Sequence, residues 1–245
     1  MNPAIKCITF DLDDTLWVCA PVLARAEQAL YEWLSERCPR MCAAYTLDDM
    51  REQRKALLKS RADLRHDMTA LRRQWITQLA DETNYPREIV EPAVEYFRQH
   101  RNKVTLFEEA QPLLKRLRRN YTVGAITNGN AQLEYIGVDH LFDFIVYSAE
   151  AGAAKPDAAI FHRALACAQA EPAAAAHVGD DPASDILGAS RVGMHTIWYN
   201  PATRPWPGGQ QPDAVIRSLQ ELEGVLLRWS YGARAASAAE NATCN

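Results

Sequence analysis

The stretch Ile5-Lys6-Cys7-Ile8-Thr9-Phe10-Asp11-Leu12-Asp13-Asp14-Thr15 decides the fold. Its first six residues, rich in β-branched and aromatic types, read as a buried strand, and the acidic run that follows puts carboxylates at the edge of a sheet. Side chains at i and i+2 of an extended chain point the same way, so Asp11 and Asp13 can face one pocket. Asp14 adds a third carboxylate. Two like charges about 4 Å apart repel by roughly 4 kcal/mol at an effective dielectric near 20, so the cluster needs a cation, a proton or water. Capping of the next helix by Asp14-Thr15, with the other two carboxylates solvated, accounts for the run equally well when it is taken alone.

Outward from this strand the pattern changes twice. Residues 17–105 read as all-helical. Pro21 suits the first turn of a helix running to about Cys38, with Leu23, Ala26, Leu30, Trp33 and Leu34 on one face. Thr46-Leu47-Asp48-Asp49 caps a second helix through about Leu58. Met68, Leu71, Trp75, Ile76 and Leu79 mark a third, and Tyr85-Pro86 opens a fourth carrying Ile89, Val90, Val94 and Phe97.

From about Glu108, short apolar strands alternate with helices. The strands are expected at Tyr121–Ile126, Phe142–Tyr147, Ala174–Val178 and Met194–Trp198, with a last short one at Asp213–Ile216. The pattern predicts an α/β fold, a doubly wound and mostly parallel Rossmann-like sheet. Residues 1–16 and 106–230 form this core, and 17–105 an inserted all-helical cap domain. Residues 231–245, small and polar, are expected to be a disordered tail. The insertion directly follows the acidic loop, so it can sit over the C-terminal edge of the sheet, where open α/β folds bind ligands.

With 48% hydrophobic and 24% charged residues, the chain has the composition of a soluble globular protein. A net charge of -4 gives no case for nucleic acid or an anionic membrane as partner. No apolar run approaches 18 residues and no signal-peptide pattern is seen, so a cytoplasmic monomer or homodimer is expected. The six cysteines lack paired CxxC spacing, which argues for reduced thiols over structural zinc. Between Arg51 and Arg73, eight basic residues stand against three acidic ones. Such a run is either a solvated helix face or a basic lid that favours an anionic substrate.

Three further strand ends carry candidate chemistry. Ile126-Thr127-Asn128-Gly129 offers a hydroxyl, an amide and free N–H groups to a phosphate, although helix capping would use the same residues. Lys155-Pro156-Asp157 sets an ammonium before a helix, with Pro156 and Asp157 suited to its first turn. In His177-Val178-Gly179-Asp180-Asp181-Pro182-Ala183-Ser184-Asp185, Gly179 permits a tight turn. Asp181 is a natural N-cap there, Pro182 fits the first helical position, and capping leaves Asp180 and Asp185 unexplained.

Together, DLDDT at 11–15, ITNGN at 126–130, KPD at 155–157 and GDDPASD at 179–185 resemble the four motifs of the haloacid dehalogenase-like superfamily, and specifically its phosphatases. The order and context match over residues 5–199, with a helical cap where that family's first-type cap is inserted. The wording FDLDDTL, AITNGNAQ and HVGDD is also similar to the bacterial phosphatases acting on a ribitylamino-uracil phosphate of riboflavin synthesis.

The resemblance implies a Mg²⁺-dependent phosphomonoester hydrolase working through an aspartyl-phosphate on a small phosphorylated metabolite. Asp11 would be the nucleophile and Asp13 the acid and base. The Asp11 and Asp180 carboxylates and the Asp13 main-chain carbonyl would hold the metal. Thr127 and Lys155 would take the phosphoryl oxygens, beside Asn128. Asp185 would orient Lys155, Thr15 would brace the loop, and Asp181 would stand behind them. Trp17 and His66 (with Asp67) are the cap-side candidates for substrate contact, while a packing role for Trp17 and a surface role for His66 stay open. The rival readings are a sugar-phosphate or phosphoglycolate phosphatase, a phosphomutase, a metal-independent dehalogenase and a non-catalytic binding protein.

Overall fold

The computed structural model describes residues 4–230, and the expectation of a disordered tail at 231–245 lies outside them. Strands β1 (Cys7–Phe10), β2 (Thr122–Thr127), β3 (Phe144–Tyr147), β4 (Ala175–Gly179), β5 (His195–Tyr199) and β6 (Ala214–Ile216) form one sheet. Their order is β3-β2-β1-β4-β5-β6, and each pairing of neighbours is parallel. β1 is buried along its whole length, as an apolar run with both faces covered must be. One face of the sheet packs Ile8, Phe10, Val123, Val178 and Ile197 against Leu113, Leu117 and Leu222. The other packs Cys7, Ile126 and Val146 against Ile160, Phe161 and Ala189. Helices therefore cover both faces, and the doubly wound parallel sheet expected from the sequence is the one found.

Between β1 and β2 the chain forms six α-helices, the first five being α1 (Cys19–Arg37), α2 (Pro39–Ala44), α3 (Leu47–Ser60), α4 (Met68–Glu82) and α5 (Val90–Arg101), which make up the helical block. They share a hydrophobic cluster of their own from Ala26 to Phe97, with no strand residue in it. Thr46 and Asp49 close a reciprocal capping box on α3, and Asp67 caps α4 by accepting from the Thr69 and Ala70 N–H groups. α2 was not expected; at six residues it is too short to show a helical period.

The sixth, α6 (Ala110–Leu117), leads into β2, and after β2 come α7 (Leu133–Ile136), α8 (Ser148–Ala151), α9 (Ala158–Ala168) and α10 (Leu187–Arg191). Gly137 ends α7 in the left-handed region at φ 80°, a C-cap conformation that glycine adopts without strain. Two expectations need correcting here. Pro156 and Asp157 are not in the first turn of α9: Lys155-Pro156 is a cis peptide and Asp157 is the N-cap, its carboxylate accepting from the Ala159 N–H. The helix that Pro182 was expected to open begins instead as a wide π-type turn, Pro182–Ile186, before α10. The turn lets Asp185 reach back to the Asp181 N–H at 3.0 Å.

The switch point of this strand order lies between β1 and β4, and the crevice outside the carboxyl ends of the strands is where such sheets bind ligands. Asp11 follows β1, Thr127 ends β2, Lys155 follows β3 and α8, and Asp180 follows β4. The candidate residues thus reach one edge of the sheet from four strands.

Candidate active site

The register brings the strand ends level. Phe10 pairs with both Ala125 and Val178, and the Asp11 N–H donates to the Val178 carbonyl at 2.8 Å. The loop beyond is tightly wound. Asp14 adopts φ 61°, its N–H donates to the Trp17 carbonyl, and its carboxylate accepts from the Cys19 N–H at 2.8 Å. Asp14 therefore satisfies the first N–H of α1, whose N-cap residue is Val18, and Asp11 and Asp13 are left for the pocket. Thr15 is fully buried beneath the loop, but its hydroxyl has no hydrogen-bond partner among the described residues. Main-chain bonds and Asp14 hold the loop instead.

Lys155 is the hinge of the electrostatics. Its ammonium is buried and donates to Asp11 Oδ1 and Asp185 Oδ1, each at 2.6 Å. Asp185 is spent on support: Oδ1 also meets His177 Nε2 at 3.2 Å, and Oδ2 accepts from the Asp181 N–H. His177, buried and held below its usual pKa by that burial, faces the Thr9 hydroxyl through Nδ1 at 2.8 Å. With the ring neutral and Asp185 ionised, Nε2 carries the proton. Asn128 clamps the Lys155 main chain from both sides, its amide donating to the carbonyl and its oxygen accepting from the N–H. The Asn128 side chain thus fixes Lys155 in place.

Asp11, Asp180 and Asp185 offer carboxylate oxygens all within 4.8 Å of one another. Three carboxylates against one ammonium leave two negative charges at the centre. The cost falls on two residues. Burial pushes Asp11 up to about 8, against the pull of Lys155 and with a push from Asp185. Burial, then Asp185 and Asp14, push Asp180 up to about 7. Asp185 itself is held well below the usual carboxylate range by Lys155 and His177, against the cost of its burial. The residual charge fits a divalent cation bound by hard oxygen donors, and the two strained carboxylates are those that the family resemblance implies as metal ligands. Asp180 is steadied from the β5 side, where Trp198 Nε1 and Arg204 Nη2 donate to its main-chain carbonyl.

Asp13 stands across from this centre. Arg101 Nη2 donates to Oδ1 at 2.7 Å and Oδ2 at 2.6 Å, and Trp17 Nε1 donates to Oδ1 at 2.7 Å. Trp17 is 1% exposed, so its ring packs in the core and its indole N–H holds Asp13; it is not on the surface a ligand would touch. A Cβ at Gly129 would overlap Asp13 Oδ2, so only glycine allows this approach. The Gly129 N–H donates to Thr127 Oγ1 at 2.9 Å, which leaves the threonine proton free to point elsewhere. Asp181 accepts from the Ala183 and Ser184 N–H groups, the capping role open to it from sequence.

Two clefts open on either side. One, of about 950 Å³, is lined by Lys59, Arg65 and His66 of the helical block and by Asn128 and Lys155 of the sheet edge. The other, of about 450 Å³, has His66, Asp67 and Arg98 facing Gly129, Asn130 and Tyr135. His66 borders both, and its carbonyl accepts from the Ser148 hydroxyl at 2.7 Å. Most of the basic run is neutralised in place: Arg51 and Arg54 pair with Glu27, Lys55 with Glu52, Arg61 with Asp63, and Arg73 with Glu91. Arg72 lies over the Phe97 ring. Lys59 and Arg65 remain at the cleft.

No sequence signal pointed to Arg101, His177 or Arg204. Arg101 sits in His100-Arg101-Asn102-Lys103, which reads as ordinary positive charge at a helix C-terminus. Strand alternation could have turned His177 inward, but nothing local names its partner.

A carboxylate-and-lysine centre at the switch point of a parallel sheet, facing a helical block, is an arrangement that suits an α/β enzyme. The chain belongs to the haloacid dehalogenase-like hydrolases, whose family profile matches residues 5–193. It is similar to the 5-amino-6-(5-phospho-D-ribitylamino)uracil phosphatase YigB of Escherichia coli (strain K12), at 28% identity over 91% of this chain and 96% of that one. It is also similar to a phosphoserine phosphatase of Thermus thermophilus, at 32% identity over 56% of this chain and 57% of that protein. A solved structure of a 2-haloacid dehalogenase from Pseudomonas syringae pv. Tomato DC3000 superposes with a TM-score of 0.86 at 39% identity. That match covers 92% of this chain and 99% of the other.

Proposed function

We propose that this hydrolase is a Mg²⁺-dependent phosphomonoesterase that forms an aspartyl-phosphate on Asp11, with the helical block (residues 17–105) serving as the cap over its substrate. The observation that supports this best is the charge at the centre: Lys155 shared between Asp11 and Asp185, with Asp180 adjacent and two negative charges unbalanced. The Asp11 and Asp180 carboxylates and the Asp13 main-chain carbonyl would hold the metal. When bound, it supplies the positive charge that lets a carboxylate approach a phosphate dianion.

The chain's own residues carry the rest. An Asp11 oxygen attacks phosphorus in line while the P–O bond to the leaving group breaks. Asp13 gives its proton to that leaving oxygen and later takes one from the water that cleaves the acyl-phosphate, returning Asp11 and inorganic phosphate. Lys155 has three N–H donors, of which Asp11 and Asp185 use two; the third is available to a phosphoryl oxygen. Thr127, already accepting from Gly129, donates its hydroxyl proton to another.

The first substrate to test is 5-amino-6-(5-phospho-D-ribitylamino)uracil, on the likeness to YigB over nearly the whole of both chains. A sugar phosphate or phosphoglycolate comes next. The likeness to the Pseudomonas syringae structure raises a second reading, dehalogenation. Asp13 separates the two, because a halide leaves without a proton and needs no acid at that position. Replacing Asp11 with asparagine should abolish Mg²⁺-dependent p-nitrophenyl phosphate hydrolysis with the circular dichroism spectrum unchanged; full activity in that variant would falsify the assignment. Chloride release from a 2-haloacid in the presence of EDTA, without phosphate release from any monoester, would favour the second reading.

A further inference from the structure

We propose that Arg101 is a positioning residue for the reaction, one that fixes the Asp13 carboxyl group for proton transfer and ties its orientation to the seating of the helical block. The inference rests on the phosphomonoesterase reading. Asp13 belongs to the sheet edge, whereas Arg101 is the last residue of α5 and its side chain is 2% exposed. Phe97, one turn earlier on the same helix, lies inside the block's own hydrophobic cluster, so the block sets where Arg101 stands.

A carboxyl group turns easily about its last side-chain bond, so one hydrogen bond does not orient it. Here Nη2 touches both oxygens and Trp17 touches Oδ1 again, which fixes the rotation. The contact also lies within the chemistry: a Cβ built on Gly129 would meet Asp13 Oδ2, Arg101 Nη2 and Thr127 Oγ1 together.

A purely structural arginine–carboxylate pair usually engages two nitrogens in parallel, with the rest of the fork satisfied. Arg101 instead uses one nitrogen, and its Nε and Nη1 are buried with no hydrogen-bond partner among the described residues. Leaving donors buried and unpaired is costly, so the geometry is maintained against local preference. If the block shifts away from the sheet, Arg101 leaves with it and Asp13 keeps only Trp17.

The test separates a step that needs the acid from one that does not. The value of kcat/KM reports events up to formation of the aspartyl-phosphate. p-Nitrophenolate leaves without a proton, whereas the alkoxide of glycerol 2-phosphate requires one. With Mg²⁺ present, Arg101→Ala should lower kcat/KM for glycerol 2-phosphate by about 10²-fold and that for p-nitrophenyl phosphate by less than about tenfold. Asp13→Asn should show the same contrast, and the double variant should lose no more than Asp13→Asn alone. Added guanidinium should restore the alkyl ester reaction of Arg101→Ala more than the aryl one.

Equal losses on the two esters, or additive losses in the double variant, would overturn the proposal. Arg101→Lys keeps a buried cation and carries the same comparison if Arg101→Ala does not fold. A wild-type protein active only on the aryl ester also sinks it, and one active on neither sinks the phosphomonoesterase reading itself.

Discussion

Lys155 shows how much a single side chain decides. Without it, Asp11 and Asp185 would be two buried carboxylates with no cation between them; with it, the centre still keeps two negative charges. Asp11 is pushed up to about 8 and Asp180 to about 7 by burial, so the metal-free fold holds protons there that an unfolded chain releases near pH 4. In that window the folded state binds more protons than the unfolded one, and metal-free stability falls as pH rises from about 4 to about 8. A cation takes the place of those protons, so Mg²⁺ should bind on the order of tenfold more tightly at about pH 8 than at about pH 6. Titration calorimetry with Mg²⁺ at the two pH values measures this, and equal affinities would count against Asp180 as a ligand. Asp11, Asp13, Lys155, Asp180 and Asp185 were picked out in the sequence because four motifs, each ambiguous alone, occur together in one order, and the structure brings Asp11, Lys155, Asp180 and Asp185 to one centre. Arg101 was not, because it reaches Asp13 from 88 positions along the chain, and Trp17, expected as a substrate contact, donates to Asp13 from four residues away.

At the scale of elements, β4 and the turn after it illustrate a demand on backbone. A Cβ on Gly179 would overlap the Asp185 carboxyl group, and the wide turn at Pro182–Ile186 is what brings that carboxyl back. Gly179→Ala should displace Asp185 from Lys155, lowering kcat by about 10²-fold and the melting temperature by several degrees. Thermal melting followed by steady-state assay gives both numbers, and an unchanged kcat would remove Asp185 from the account. Strand positions were readable to within one or two residues, since continuous apolar runs bounded by Gly, Asn and Asp leave little freedom. The π-type turn and α2 were not, because neither is long enough to impose a period on the side chains.

For the molecule as a whole, the decisive arrangement is a block of helices and a sheet edge that face one another across two clefts. The sheet edge carries Asp11, Lys155 and Asp180, and the block brings Lys59, Arg65, His66 and Arg98 to the clefts. His66, the residue common to both clefts, belongs to recognition in this scheme. His66→Ala should raise KM for the true metabolite several-fold and leave kcat much less affected, the signature of binding shared by ground and transition states. A screen of phosphorylated metabolites, including the ribitylamino-uracil phosphate, identifies the compound on which to measure it. A variant whose kcat collapses while KM is unmoved would put His66 in the chemistry.

The central strand has a consequence for how the chain assembles. Cys7 of β1 pairs with Thr122 on one side and Ala175 on the other, partners 115 and 168 positions further along. The helices that follow β1 draw their apolar contacts from Ala26 to Phe97 and can close on one another early. During synthesis the middle of the sheet is therefore made first and flanked late: β1 must wait, unpaired, until β2 and then β4 have been added beside it.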